Sequence, residues 1–153
     1  MQRIQINDGA TPHVPRHKTL EIVMTPEQKL KHAILLRQVA YDGLVLGDPV
    51  TAENIDALFE SNNEDYELQD ATCAIRSGVI QTELPTPKSR HYEANEVAAQ
   101  MPDGSWVGWT YWYGGGKHGE PESVDWMDQA YDLEMTEETK TVVVRTFTKK
   151  VHA

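Results

Sequence analysis

The run Gly114-Gly115-Gly116-Lys117-His118-Gly119-Glu120 sets a lysine and a histidine inside a glycine loop, directly before an acid. Successive backbone N–H groups in such a turn can cradle an anion, and Lys117 would add charge. The pattern departs from a phosphate loop, because no Ser or Thr follows the lysine and the spacing differs. It departs from GxGxxG as well. His118 and Glu120, with Glu122 close by, form a His-carboxylate set that can do general acid-base work. The sequence places no third group and no substrate pocket beside them. The simpler reading is a strand-to-helix crossover in which glycine permits turns closed to other residues. Gly115, Lys117, His118 and Glu120 are therefore candidates for ligand contact, and no catalytic residue is assigned.

Other reactive types are sparser. Cys73 lies mid-helix between Thr72 and Ala74, with no activating neighbour, and reads as a small buried apolar residue. As the single cysteine it excludes an intramolecular disulfide and fits a reducing compartment. His13 and His17 stand four apart, but Pro15 between them opposes a shared helix face. Residues 1–19 read as an arm or loop. Asp125, Asp128 and Asp132 follow helical spacing; they could face a divalent cation, and a solvated helix face accounts for them equally. No Cys/His cluster has zinc spacing, so no metal and no cofactor is expected.

The elements that position these residues divide into two halves of a single domain, 1–153. Residues 20–83 are mainly helical. After strand candidates at Arg3–Ile6 and Leu20–Met24, Thr25-Pro26-Glu27-Gln28 predicts a capped helix start. That helix runs to about Asp42, stops at Gly43, and buries Leu30, Ala33, Ile34, Leu36 and Val39. A second helix is expected from Thr51, with Val50 and Ile55 as a hydrophobic staple. A third is expected over 63–77, lined by Leu68, Ala71, Thr72 and Ile75. Leu84–Ser89 reads as a linker. Residues 90–150 are strand-rich, with a helix from Pro121 through Tyr131, burying Val124, Met127 and Tyr131, and a returning strand at Lys140–Lys149.

The centre of the second half is a hairpin. Pro102-Asp103-Gly104 fits a type I turn followed by a left-handed glycine. This pairs Ala99 with Val107, Val97 with Trp109 and Asn95 with Tyr111. One face then carries Val97, Ala99, Val107, Trp109, Tyr111 and Tyr113, which reads as the core face. The other carries Ala94, Glu96, Ala98, Trp106, Thr110 and Trp112. Trp106 and Trp112 on a face away from the core would mark a contact surface; the competing expectation is that the helices cover them. The predicted fold is α+β, with N-terminal helices packed on a small antiparallel sheet built around a C-terminal hairpin.

Charge restricts the partners. Twenty-four acids face fourteen bases in 153 residues, a net charge of −10. That disfavours direct binding of nucleic acid and of anionic membranes. It favours a protein with a basic surface. Eight acids lie in Asp48–Asp70 and eight in Glu120–Glu138, either as a phosphate-like surface or as solvated helix faces. The opening MQRIQINDGATPH has no apolar core of signal-peptide length, and no apolar run approaches a membrane span. A cytoplasmic protein is expected.

The segment VGWTYWYGGGKHGEPESVDWMDQAY and the trailing TVVVRTFTKK resemble small accessory proteins of tailed phages and prophages. The resemblance covers the last third of the chain and implies a host cytoplasm as the setting. The function expected is a small acidic binding protein, an inhibitor or modulator of a host protein, with a nucleic-acid-handling protein as one such host target. Trp106, Trp112, Asp125 and Asp128 are the candidates for partner contact. The alternative is a module for a small anionic ligand such as a nucleotide signal, at Trp112, Lys117 and His118. A minor alternative is an enzyme using His118 and Glu120.

Overall fold

The computed structural model describes residues 23–152. The strand expected at Arg3–Ile6, most of that at Leu20–Met24, and His13 and His17 lie outside them. Helix α1 spans Pro26–Asp42, α2 Ile55–Asn62 and α3 Gln69–Arg76. Strands β1 (Ile80–Gln81), β2 (Glu93–Gln100), β3 (Trp106–Tyr113) and β4 (Tyr131–Leu133) form one antiparallel sheet in that order. The class is α+β.

Local chemistry sets the start of each half. The Thr25 side chain accepts from the Gln28 N–H at 3.2 Å, and Gln28 Oε1 accepts from the Thr25 N–H at 3.0 Å. These bonds satisfy two donors at the open end of α1. Gly43 ends it at φ +68°. Pro102-Asp103-Gly104 turns β2 into β3, with Gly104 at φ +86° and the Met101 N–H donating to the Ser105 carbonyl at 2.7 Å. The resulting register pairs Ala99 with Val107, Val97 with Trp109 and Asn95 with Tyr111, as the alternation predicts.

The helices cover one face of the sheet. Leu30, Val97, Ala99, Met101, Val107, Trp109 and Trp126 form one buried cluster, and Ile34, Leu35, Ile55, Leu68 and Ala71 a second. α1 contributes to both. Trp109 is fully buried, and its indole N–H donates to the Arg76 carbonyl at 2.8 Å, so this buried donor is satisfied. The Arg76 guanidinium lies 4.7 Å from the Tyr111 ring centroid and donates to the Trp112 carbonyl. Lys29, also buried, reaches Asp132 at 2.7 Å and ties α1 to β4.

Several expectations are corrected. Leu36 is exposed, and Leu35 takes the interior position on α1. Regular helix in the second segment begins at Ile55, one turn after the Thr51–Asn54 bonds that open it. The third helix is broken: Glu64–Tyr66 makes a short 3-10 turn, Asp65 and Tyr66 take positive φ, and α3 begins at Gln69. Cys73 is exposed. Pro121 starts only a 3-10 turn to Ser123. A helix burying Val124, Met127 and Tyr131 would turn Trp126 outward; instead Trp126 packs on Trp109, with ring centroids 5.5 Å apart. Asp125, Asp128 and Asp132 therefore share no helix face. Residues 140–149 pair with no strand among the described residues.

Candidate functional site

Among the described residues, no helix covers the second face of the sheet. β4 pairs Gly108 with Tyr131 and Trp106 with Leu133, so Tyr131 and Leu133 join this face. Any side chain at position 108 would displace its neighbours. A Cβ there would stand 2.6 Å from Tyr131 Cε2 and 2.8 Å from Leu133 Cδ1. The gap between the two tryptophans is thus filled by a tyrosine from the neighbouring strand.

Two depressions flank that tyrosine. One, about 620 Å³, is lined by Ile80, Leu84, Ala98, Trp106, Leu133 and Met135, with Glu83 and Glu134 at its margin. The other, about 470 Å³, is lined by Thr110, Trp112, Trp126 and Tyr131, with Glu96 and Asp125 as its acids and Pro85 to Pro87 along one side. Both volumes fall in the range of ordinary binding sites. Trp106 and Trp112 are half-buried. The linker and β4, rather than the helical half, flank them.

Glu96 is the least expected residue of this face. It is only 4% exposed. Its Oε1 accepts from the Tyr131 hydroxyl at 2.7 Å. Its Oε2 is buried and has no hydrogen-bond partner among the described residues. An acceptor left in that condition normally costs a protein stability, because its desolvation is not offset. Burial, reinforced by the hydrogen bond and charge of Glu96, pushes the Tyr131 hydroxyl above its ordinary pKa. The phenol therefore stays protonated and acts as the donor. A buried carboxylate oxygen beside two tryptophans and a tyrosine is suited to a cation: the carboxylate supplies charge, the rings supply apolar walls and negative π faces.

The other candidates lie elsewhere. Asp125 lines the second depression with Trp112, whereas Asp128 shares a different one with Glu27, Lys31, Glu122 and Asp125. Gly114, Gly115 and Gly116 all have positive φ, and Lys117 and His118 are exposed in the 3-10 turn that follows. Gly115 also has a packing reason: a Cβ there would lie 2.6 Å from the Tyr92 ring. The Tyr92 hydroxyl in turn accepts from the Glu120 N–H at 3.2 Å. His118 makes no ion pair with Glu120 or Glu122 among the described residues. The loop lines neither depression of the open face.

No family model, no curated protein and no solved structure matches this chain. Among the described residues, no group of three His, Cys, Asp or Glu side chains could hold a metal ion, and no helix is long and apolar enough to cross a membrane.

Proposed function

We propose that this protein is a binding module that grips a basic, extended segment of a protein partner on the open face of its sheet. The observation that carries this reading is the unpartnered, buried Glu96 carboxylate oxygen among Trp112, Trp126 and Tyr131. A guanidinium or ammonium group there would satisfy the oxygen and lie against aromatic rings. Trp106 and the apolar depression beside it would take flanking hydrophobic side chains. The acids at the margin, Glu83, Asp125 and Glu134, would attract a positively charged partner from a distance. In the phage setting that the resemblance implies, the partner is a host protein with a basic surface, and the outcome is its inhibition or modulation.

The test is a kinetic binding assay with an immobilised peptide of alternating valine and arginine. Trp112→Ala should chiefly raise the dissociation rate, because a buried tryptophan anchor holds the complex together. Reversing charge at Asp125 and Glu134 should chiefly slow association, and more so at low salt. Wild-type kinetics in both variants would rule this face out as the interface.

A further inference from the structure

The chain carries a segment with the properties this groove calls for. Residues Thr139–Lys150 contain four bases, Lys140, Arg145, Lys149 and Lys150, and no acid. The remaining residues hold the other ten bases and all twenty-four acids. The segment is also the most β-prone of the chain, with Val142-Val143-Val144 and then Thr146-Phe147-Thr148. Yet among the described residues it is paired with nothing, and its large apolar side chains are exposed: Val142 is 75%, Val143 70%, Val144 82% and Phe147 86% exposed. Contiguous exposed apolar groups on an unpaired strand mark a contact surface.

We infer that residues 140–149 of one copy dock as an extended strand in the open-face groove of a second copy, with Arg145 at Glu96. The inference rests on the reading of that groove as a site for a basic extended segment. In a strand, Val143, Arg145 and Phe147 share one side at about 6.6 Å intervals. A cation between two apolar groups thus matches a carboxylate between two aromatic regions. On the sheet, Glu96 pairs with Thr110, and Trp112 is the next residue of β3 on that face. Glu83 and Glu134 line the neighbouring depression, where Lys149, on the same side of the strand as Arg145, would meet them. The occupant is a second copy because the arm of this copy lies exposed, off its own groove. The contact is heterologous, arm into groove, so two copies can close by exchanging arms or further copies can extend a chain.

The experiment is sedimentation velocity of the full chain across the micromolar range, with substitutions on each side of the contact. Wild type should associate with concentration. Arg145→Glu should weaken association at least about 30-fold, as loss of one member of a desolvated charge pair does. Val143→Glu with Phe147→Asp should abolish it. These positions are exposed, so the body remains folded. Glu96→Gln tests the groove side, with circular dichroism confirming its fold. Mixing the arm-defective and groove-defective proteins should restore a single one-to-one pair, since each supplies what the other lacks. A wild type that stays monomeric overturns the inference, as does association that survives the arm substitutions. An arm that docks on its own groove, seen as protection independent of concentration, also overturns it. Binding of the valine-arginine peptide to the arm-defective protein reports on the groove reading separately, and that reading stands or falls on it alone.

Discussion

Gly108→Ala probes the construction of the open face with the smallest possible change. The added Cβ would lie 2.6 Å from Tyr131 Cε2, 2.8 Å from Leu133 Cδ1 and 3.0 Å from Tyr131 Cζ. Carbon atoms in contact rest near 3.5–4.0 Å, so the tyrosine ring must withdraw by roughly 1 Å. The ring cannot withdraw freely, because its hydroxyl is held by Glu96 at 2.7 Å. Overpacking of this kind costs about 1–3 kcal/mol. The unfolding midpoint of a chain this size falls by roughly 2–4 °C for each kcal/mol. Thermal denaturation measures the loss, and a double-mutant cycle locates it. Tyr131→Phe removes only the hydroxyl and, in the wild-type background, should cost about 1–2 kcal/mol. In the Gly108→Ala background the same change should cost clearly less, since the hydrogen bond is already displaced. Full additivity, or a midpoint within about 1 °C of wild type for Gly108→Ala, would refute the packing of Tyr131 between the tryptophans.

Three further predictions concern the frame and the loop. Gly104→Val meets no atom within 4 Å at its Cβ, so its cost is conformational, about 1–2 kcal/mol for a β-branched residue at φ +86°; an unchanged midpoint would count against the turn. Burial pulls His32 below its ordinary value of 6.5, against the opposing charge of Asp103. The unfolded chain therefore takes up the proton first, and stability, full above about pH 6.5, declines as pH falls below it; His32→Gln should flatten the midpoint between about pH 7.5 and 5. Calorimetric titration with nucleotides and cyclic dinucleotides should give no heat; heat that disappears in Lys117→Ala and His118→Ala would return the Gly114–Gly119 loop to the centre of the function.

What the sequence made legible was local or strictly periodic. The Thr25 cap, the Gly43 stop and the hairpin register each depend on a few adjacent residues, and alternation placed Glu96, Trp106, Thr110 and Trp112 on one face. What it hid was long-range. Pro121 gives a true helix-start signal, but packing of Trp126 on Trp109 ends the helix after one turn. With that helix expected, Tyr131 could not be seen as a strand residue, and so the Glu96 site was invisible even though Glu96 was on the correct face. Residues 140–149 read as a returning strand because strand propensity is written locally, whereas the partner of a strand is not. Lys29 and Arg76, both buried, follow the same rule: their roles depend on Asp132 and Trp112, far away in sequence.

The most direct test of the account is the affinity of the valine-arginine peptide for wild type and for Glu96→Gln, measured by tryptophan fluorescence at two salt concentrations. A peptide with the arginines replaced by glutamates serves as the comparison. The basic peptide should bind, the acidic one should not, and Glu96→Gln should lose at least about 30-fold in affinity, because the buried carboxylate is gone. Equal affinity of both proteins for the basic peptide, or preference for the acidic one, would contradict the account.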